Sequence, residues 1–189
     1  MSSAETVWRP TREQVAAAAG RTVPDVIGPG LDVLFVGINP GLYSAAVRHH
    51  FARPGNRFWK VIAGAGFTDR VLSTFEEREL LGGGCGITNL VARSTATADQ
   101  LDAGELRRGV ARLAAKVRRH RPRFVAFLGL GAYRTALDRP RAAMGPQEDP
   151  FAGARTWLLP NPSGLNAHYQ LPALVAAFRE LREAAHASG

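Results

Sequence analysis

Two short loops hold the side chains from which a chemical site could be built. The first, Gly37-Ile38-Asn39-Pro40-Gly41, places an amide between glycines that allow close backbone approach, and its proline fixes the turn. The second, Asn161-Pro162-Ser163-Gly164-Leu165-Asn166, is polar and stiff but exposes one aliphatic side chain near its tip. Amides orient and bind; they do not take up protons as a carboxylate or an imidazole does. The spacing gives metal chemistry no support, because His49, His50 and His168 lie near these loops without a zinc-ligand pattern and Cys85 is the only cysteine. An amine nucleophile would have to be Lys60 or Lys116, and neither sits in a motif that would make it one. No cofactor is expected, since the Gly129-Leu130-Gly131 turn lacks the full dinucleotide fingerprint and the lysine of a P-loop.

Loops of this kind need strands behind them. Residues 31–36, Leu-Asp-Val-Leu-Phe-Val, are a β-rich run that ends at the first loop, as a buried strand of an α/β sheet does. Residues 156–159 lead into the second loop in the same way, and residues 85–91 and 124–128 are further strand candidates. Helices are expected over residues 12–19, 56–63, 75–81, 132–137 and 171–185, the last bearing Leu174, Val175, Phe178 and Leu181. Asp102-Ala-Gly-Glu105 resembles a capping box, after which Leu106, Val110, Leu113 and Val117 mark one apolar helix face. Arg107, Arg108, Arg112, Arg118 and Arg119 stand on the opposite face, as a solvated surface would have them. Residues 139–154 are a loop rich in proline and glycine. Strands alternating with helices predict one three-layer α/β/α domain around a mostly parallel sheet over residues 31–189, with residues 1–30 as an N-terminal appendage. In such sheets ligands bind beyond the carboxyl ends of the strands, where both loops stand.

The chain has 189 residues, 46% apolar and 21% charged, which fits one core and excludes disorder throughout. No apolar run approaches the ~20 residues of a spanning helix, and the first residues lack an apolar secretory region. A single cysteine suits a reducing compartment, so a cytoplasmic protein is expected, and a monomer is expected as well. Twenty-four bases against sixteen acids give a net charge of +8, a balance that favours a polyanionic partner without identifying one.

Read together and in order, Gly37-Ile-Asn-Pro-Gly-Leu42, Phe51-Ala-Arg-Pro-Gly-Asn-Arg-Phe-Trp-Lys60 and Asn161-Pro-Ser-Gly-Leu165 resemble the motifs of the mismatch-specific uracil/thymine-DNA glycosylases. That group is a branch of the uracil-DNA glycosylase superfamily. The resemblance runs from about residue 31 to about residue 183 and implies a single α/β domain with a central parallel sheet. It also implies hydrolysis of the N-glycosidic bond of uracil, thymine or another damaged pyrimidine mispaired with guanine, in double-stranded DNA and by base flipping. On that resemblance Asn39 holds the attacking water and Phe51 stacks on the flipped base. Backbone N–H groups around Ile38 and Gly41 meet the departing anion. Leu165 is the wedge that fills the gap, with Gly164 and Asn166 facing the widowed guanine. Asn89 falls where some family members have lysine, and an amide there could read the uracil edge. Asp99, downstream of that strand, could approach as a compensating base. Phosphate contacts fall to Arg53, Arg57, Lys60 and Arg93, with Ser44, Asn161 and Ser163 adding polar bonds.

No matched carboxylate base accompanies Asn39. That opens a second reading, a catalytically weak or silent protein that binds mismatches or abasic sites.

Overall fold

The structure is a computed structural model that describes residues 8–187. The chain start, expected to lack a secretory region, lies outside the described residues. Five strands form one sheet: β1 (Val33–Gly37), β2 (Cys85–Asn89), β3 (Phe124–Leu128), β4 (Gly145–Pro146) and β5 (Arg155–Leu159). Their order is β2-β1-β3-β5-β4, parallel throughout except for the short β4, which runs antiparallel to β5. The three-layer α/β/α expectation therefore holds. Alternate residues of each strand serve opposite faces, which is the period-2 consequence of the pleat.

On one face Val33, Phe35, Ile87, Phe124, Ala126 and Trp157 pack with helices α3 (Phe58–Ala65) and α6 (Leu171–Ala187). On the other face Leu34, Val36, Val125, Phe127 and Leu158 pack with α4 (Ala103–His120) and α5 (Leu130–Leu137). Asp102 and Glu105 close the expected capping box at the start of α4, with Glu105 N donating to Asp102 Oδ1 at 2.8 Å. Leu106, Leu113 and Val117 are buried, as the apolar spacing requires. Both sheet faces are covered, so near-continuous apolar strands are what the sequence had to supply.

Three elements differ from the sequence reading. Leu42–Val47 is a helix, α2, in a stretch without a clear apolar period. Residues 75–81, expected as an α-helix, lie within a 3-10 helix, Thr74–Gly83. The loop over 139–154 contains β4, whose two residues carry no pattern. Ahead of β1, α1 (Arg12–Ala16) is capped by Thr11 and Gln14. Val26 then bridges the outer side of β2, exchanging two backbone bonds with Ile87 at 2.9 and 2.7 Å. Asp25 meets Lys116 Nζ at 2.6 Å and accepts from Thr88 Oγ1 at 2.7 Å. Among the described residues no helix is long and apolar enough to cross a membrane.

Candidate functional site

β1 and β3 are neighbours, but the chain leaves β1 towards β2 on one side and β3 towards β5 on the other. Their carboxyl ends are thus a topological switch point, where open α/β sheets leave a crevice. A cleft of about 690 Å³ opens there, bounded by the loops after β1, β2, β3 and β5. That is within the range of small-molecule sites. Its wall contains no carboxylate and no lysine among the described residues.

Asn39 stands at the end of β1 and is held by its amide nitrogen. Nδ2 donates to Arg93 O at 3.0 Å and to Thr95 Oγ1 at 2.7 Å. A backbone carbonyl can only accept, so the orientation of the carboxamide is fixed, and Oδ1 has no partner among the described residues. Thr95 is buried, and its hydroxyl donates onward to Thr97 O at 2.7 Å, which settles its role as the acceptor towards Asn39.

Asn89, at the end of β2, is held less firmly. Its Nδ2 lies 3.5 Å from His50 Nδ1, and its Oδ1 rests on the backbone of Gly37, where an added Cβ would come within 2.6 Å. Glycine at position 37 is therefore needed for Asn89 to reach the cleft. His50 is buried, and its Nε2 donates to Pro24 O at 2.8 Å, leaving Nδ1 as the acceptor towards Asn89. Burial lowers the His50 pKa, opposed by the nearby Glu77 carboxylate. Glu77, itself buried, accepts from the His50 backbone N–H and bonds His49 Nδ1, both at 2.8 Å.

Phe51 lines the cleft with a backbone φ of 52°, a left-handed conformation unfavourable for a bulky residue. The strain is held by packing. Its ring stacks on Phe58 at 4.0 Å between centroids, and Phe58 meets Phe35 edge-on at 5.5 Å, so the cleft wall continues into the core.

Leu165 is 67% exposed at the rim of the cleft, between Ser163 and Asn166. Asn161 and Ser163 shape this loop with local bonds: Ser163 N donates to Asn161 Oδ1 at 3.0 Å and Leu165 N to Ser163 Oγ at 3.3 Å. Asn166 uses its side chain locally too, with Nδ2 donating to Asn161 O and Oδ1 accepting from His168 N. Gly164 sits so close to Gly55 that an added Cβ would lie 2.6 Å from Gly55 O.

The basic residues divide. Arg53 and Lys60 are exposed and make no ion pair among the described residues. Arg93 is committed to Glu105 through two bonds, and this pairing lowers the Glu105 pKa to about 2. Arg57 turns its guanidinium to backbone carbonyls of the Leu165 loop. Ser44 is buried, its Oγ accepting from Ala52 N at 3.1 Å, while it also lines the cleft. Ile38 and Gly41 line it as well. Asp99 is exposed in the short 3-10 turn Ala98–Gln100 and is not part of the cleft wall, although Ala96, Thr97 and Ala98 are.

Sequence reasoning missed Thr95 as the partner of Asn39 and His50 as the partner of Asn89. The spacing of His49 and His50 speaks only to metal binding, and a threonine six residues beyond a strand gives no signal of its own.

Comparison with known proteins matches residues 24–184 to the family described as the uracil DNA glycosylase superfamily. A solution NMR structure of a candidate uracil DNA glycosylase from Methanosarcina acetivorans superposes with a TM-score of 0.58 at 20% identity, over 86% of this chain and 98% of that one. At that identity the likeness speaks for the fold. With the family match spanning most of the sequence, the chain belongs to the uracil-DNA glycosylase superfamily.

Proposed function

We propose that this protein is a monofunctional DNA glycosylase that releases uracil mispaired with guanine from duplex DNA and so initiates base excision repair. The observation that carries the reading is the locked carboxamide of Asn39, whose oxygen is the one polar atom of that side chain left for a ligand on the cleft wall. Oδ1 accepts a hydrogen bond from a water and so aims the lone pair of the water oxygen at the sugar C1′. The C1′–N1 bond breaks as the water oxygen bonds C1′, the base leaves with the electron pair, and the surplus water proton passes to solvent or to the base. An amide cannot remove that proton, so turnover is slow. Backbone N–H groups of the Ile38 to Leu42 segment meet the charge on the departing base. Phe51 offers its ring face to a flipped pyrimidine, and Asn89 meets the polar edge of the base. Leu165 fills the vacated stack, the backbone of Gly164 with Asn166 beside it meets the widowed guanine, and Arg53 and Lys60 contact phosphates.

Among the described residues the cleft wall has no lysine, which favours hydrolysis over a lyase reaction through an amine. The test is single-turnover base release from duplexes with uracil opposite guanine, uracil opposite adenine and thymine opposite guanine, and from single-stranded uracil DNA. Release confined to mispaired substrates supports the proposal; release from every uracil substrate would overturn its mismatch specificity.

A second reading, a silent binder of mismatches or abasic sites, is favoured by the carboxylate-free wall and by Asp99 lying off it. Tight abasic-site binding with no base release on any substrate would establish it.

A further inference from the structure

The loop carrying Leu165 has no regular secondary structure, yet a side chain that enters a base stack needs a fixed base of its own. Bonds within the loop set its shape but do not attach it to the domain. Besides the packing of Tyr169 on the core, the hydrogen-bonded attachment is Arg57, at the start of α3. Its backbone N–H and Nε both donate to Pro162 O, at 3.1 and 3.3 Å. Nη2 donates to Ser163 O at 2.6 Å and to Asn166 O at 3.0 Å, and Nη1 donates to Tyr169 O. The bonded carbonyls lie on both sides of Leu165. Arg57 makes no ion pair with a carboxylate among the described residues, so its donors serve the loop. Only a planar fork with several fixed donors can reach carbonyls in these different directions, and an ammonium cannot. Gly164 seated against Gly55 O tightens the same junction.

We propose that Arg57 is the positioning residue of this loop: by tying carbonyls before and after Leu165 it holds the insertion conformation ready before DNA arrives. Ordering of the loop is then completed during folding rather than on binding, which raises affinity for a gapped stack. The inference rests on the reading of Leu165 as the wedge, and it departs from the phosphate contact that the sequence resemblance implied for Arg57.

The experiment compares affinity for a duplex carrying a tetrahydrofuran abasic analogue opposite guanine with affinity for the undamaged duplex. It uses the unaltered chain, Arg57→Ala, Arg57→Lys, Leu165→Ala and the Arg57→Ala/Leu165→Ala double variant, with thermal melting recorded for each. Arg57→Ala is expected to weaken abasic binding roughly tenfold, the scale of losing charged-donor hydrogen bonds, while undamaged duplex binding changes little. Arg57→Lys keeps the charge and is expected to lose as much; full recovery by lysine would overturn the clamp in favour of a phosphate contact. In the Leu165→Ala background the loss from Arg57→Ala should nearly vanish, and additive losses would refute the coupling. Should Arg57→Ala melt too low to assay, Arg57→Lys carries the test, with hydrogen exchange of the 163–168 amides expected to rise. Were Leu165→Ala alone without effect on abasic DNA, the wedge reading would fall and this role of Arg57 with it.

Discussion

Two asparagines end neighbouring parallel strands, paired in register through Gly37 and Asn89, and they are held very differently. Asn39 has both amide hydrogens engaged at 3.0 and 2.7 Å, on a carbonyl and on a hydroxyl that is itself anchored. Asn89 has one side-chain hydrogen bond, from Nδ2 at 3.5 Å, at the outer limit of such a bond. A group that must aim a water in a transition state gains from having one orientation, because preorganised dipoles need no rearrangement as charge develops. A group that meets a base edge can turn to suit it. The contrast suggests strict chemistry joined to adaptable reading, within the proposed function.

Breaking the firm side should have the largest effect. Asn39→Ala should lower single-turnover base release roughly a hundredfold to a thousandfold, the scale for losing one preorganised polar group, with duplex affinity intact. Equal losses in rate and affinity would remove Asn39 from the chemistry. Loosening it is gentler: Thr95→Val keeps the volume but deletes the acceptor, and about a tenfold fall in rate is expected from one unmade bond. An unchanged rate would show that the tight hold is incidental.

On the adaptable side, Asn89→Ala should cost roughly threefold to tenfold towards uracil, since the lost bond is weak and exposed to competition from water. Its effect should differ between uracil and thymine; identical effects on both would contradict base reading. The smallest effect concerns stability. Burial lowers the His50 pKa from 6.5, opposed by Glu77, the Pro24 carbonyl and Asp25, with His49 adding to the lowering. Below about 6.5 the unfolded chain binds a proton that the folded chain refuses, so the stability present above that pH declines as pH falls. Thermal melting from pH 7.5 to 5 should show this acid slope, and His50→Gln should flatten it; an unaltered slope would place the proton elsewhere.

Much of the scaffold could be read from the sequence because it depends on local period. The apolar runs of β1, β3 and β5, and the capping box and four-three spacing of α4, each state their own geometry within a few residues. Helix α2 was missed because His49 and His50 and the arginine between Val47 and His49 follow it without an apolar rhythm, and β4 because two residues cannot show one. In the site, Asn39, Phe51 and Leu165 were legible as motif positions. Their supports were not: Asn39 meets a carbonyl 54 residues away and a hydroxyl 56 residues away, and Arg57 reaches carbonyls 105 to 112 residues away. Such pairings exist only once the strands have been ordered around the switch point. For the same reason Arg57 and Arg93 read as open cations in the sequence although the fold commits both to their own chain.

The bridge from Val26 to Ile87 and the two-residue β4 with its proline have a bearing on handling the protein at high concentration. Open rows of peptide groups on outermost strands are where foreign chains join end to end and begin fibres. Here one flank is occupied by the chain's own leading segment and the other is cut short at Pro146, which has no N–H to offer. Both flanks therefore give an arriving strand less of a template to copy.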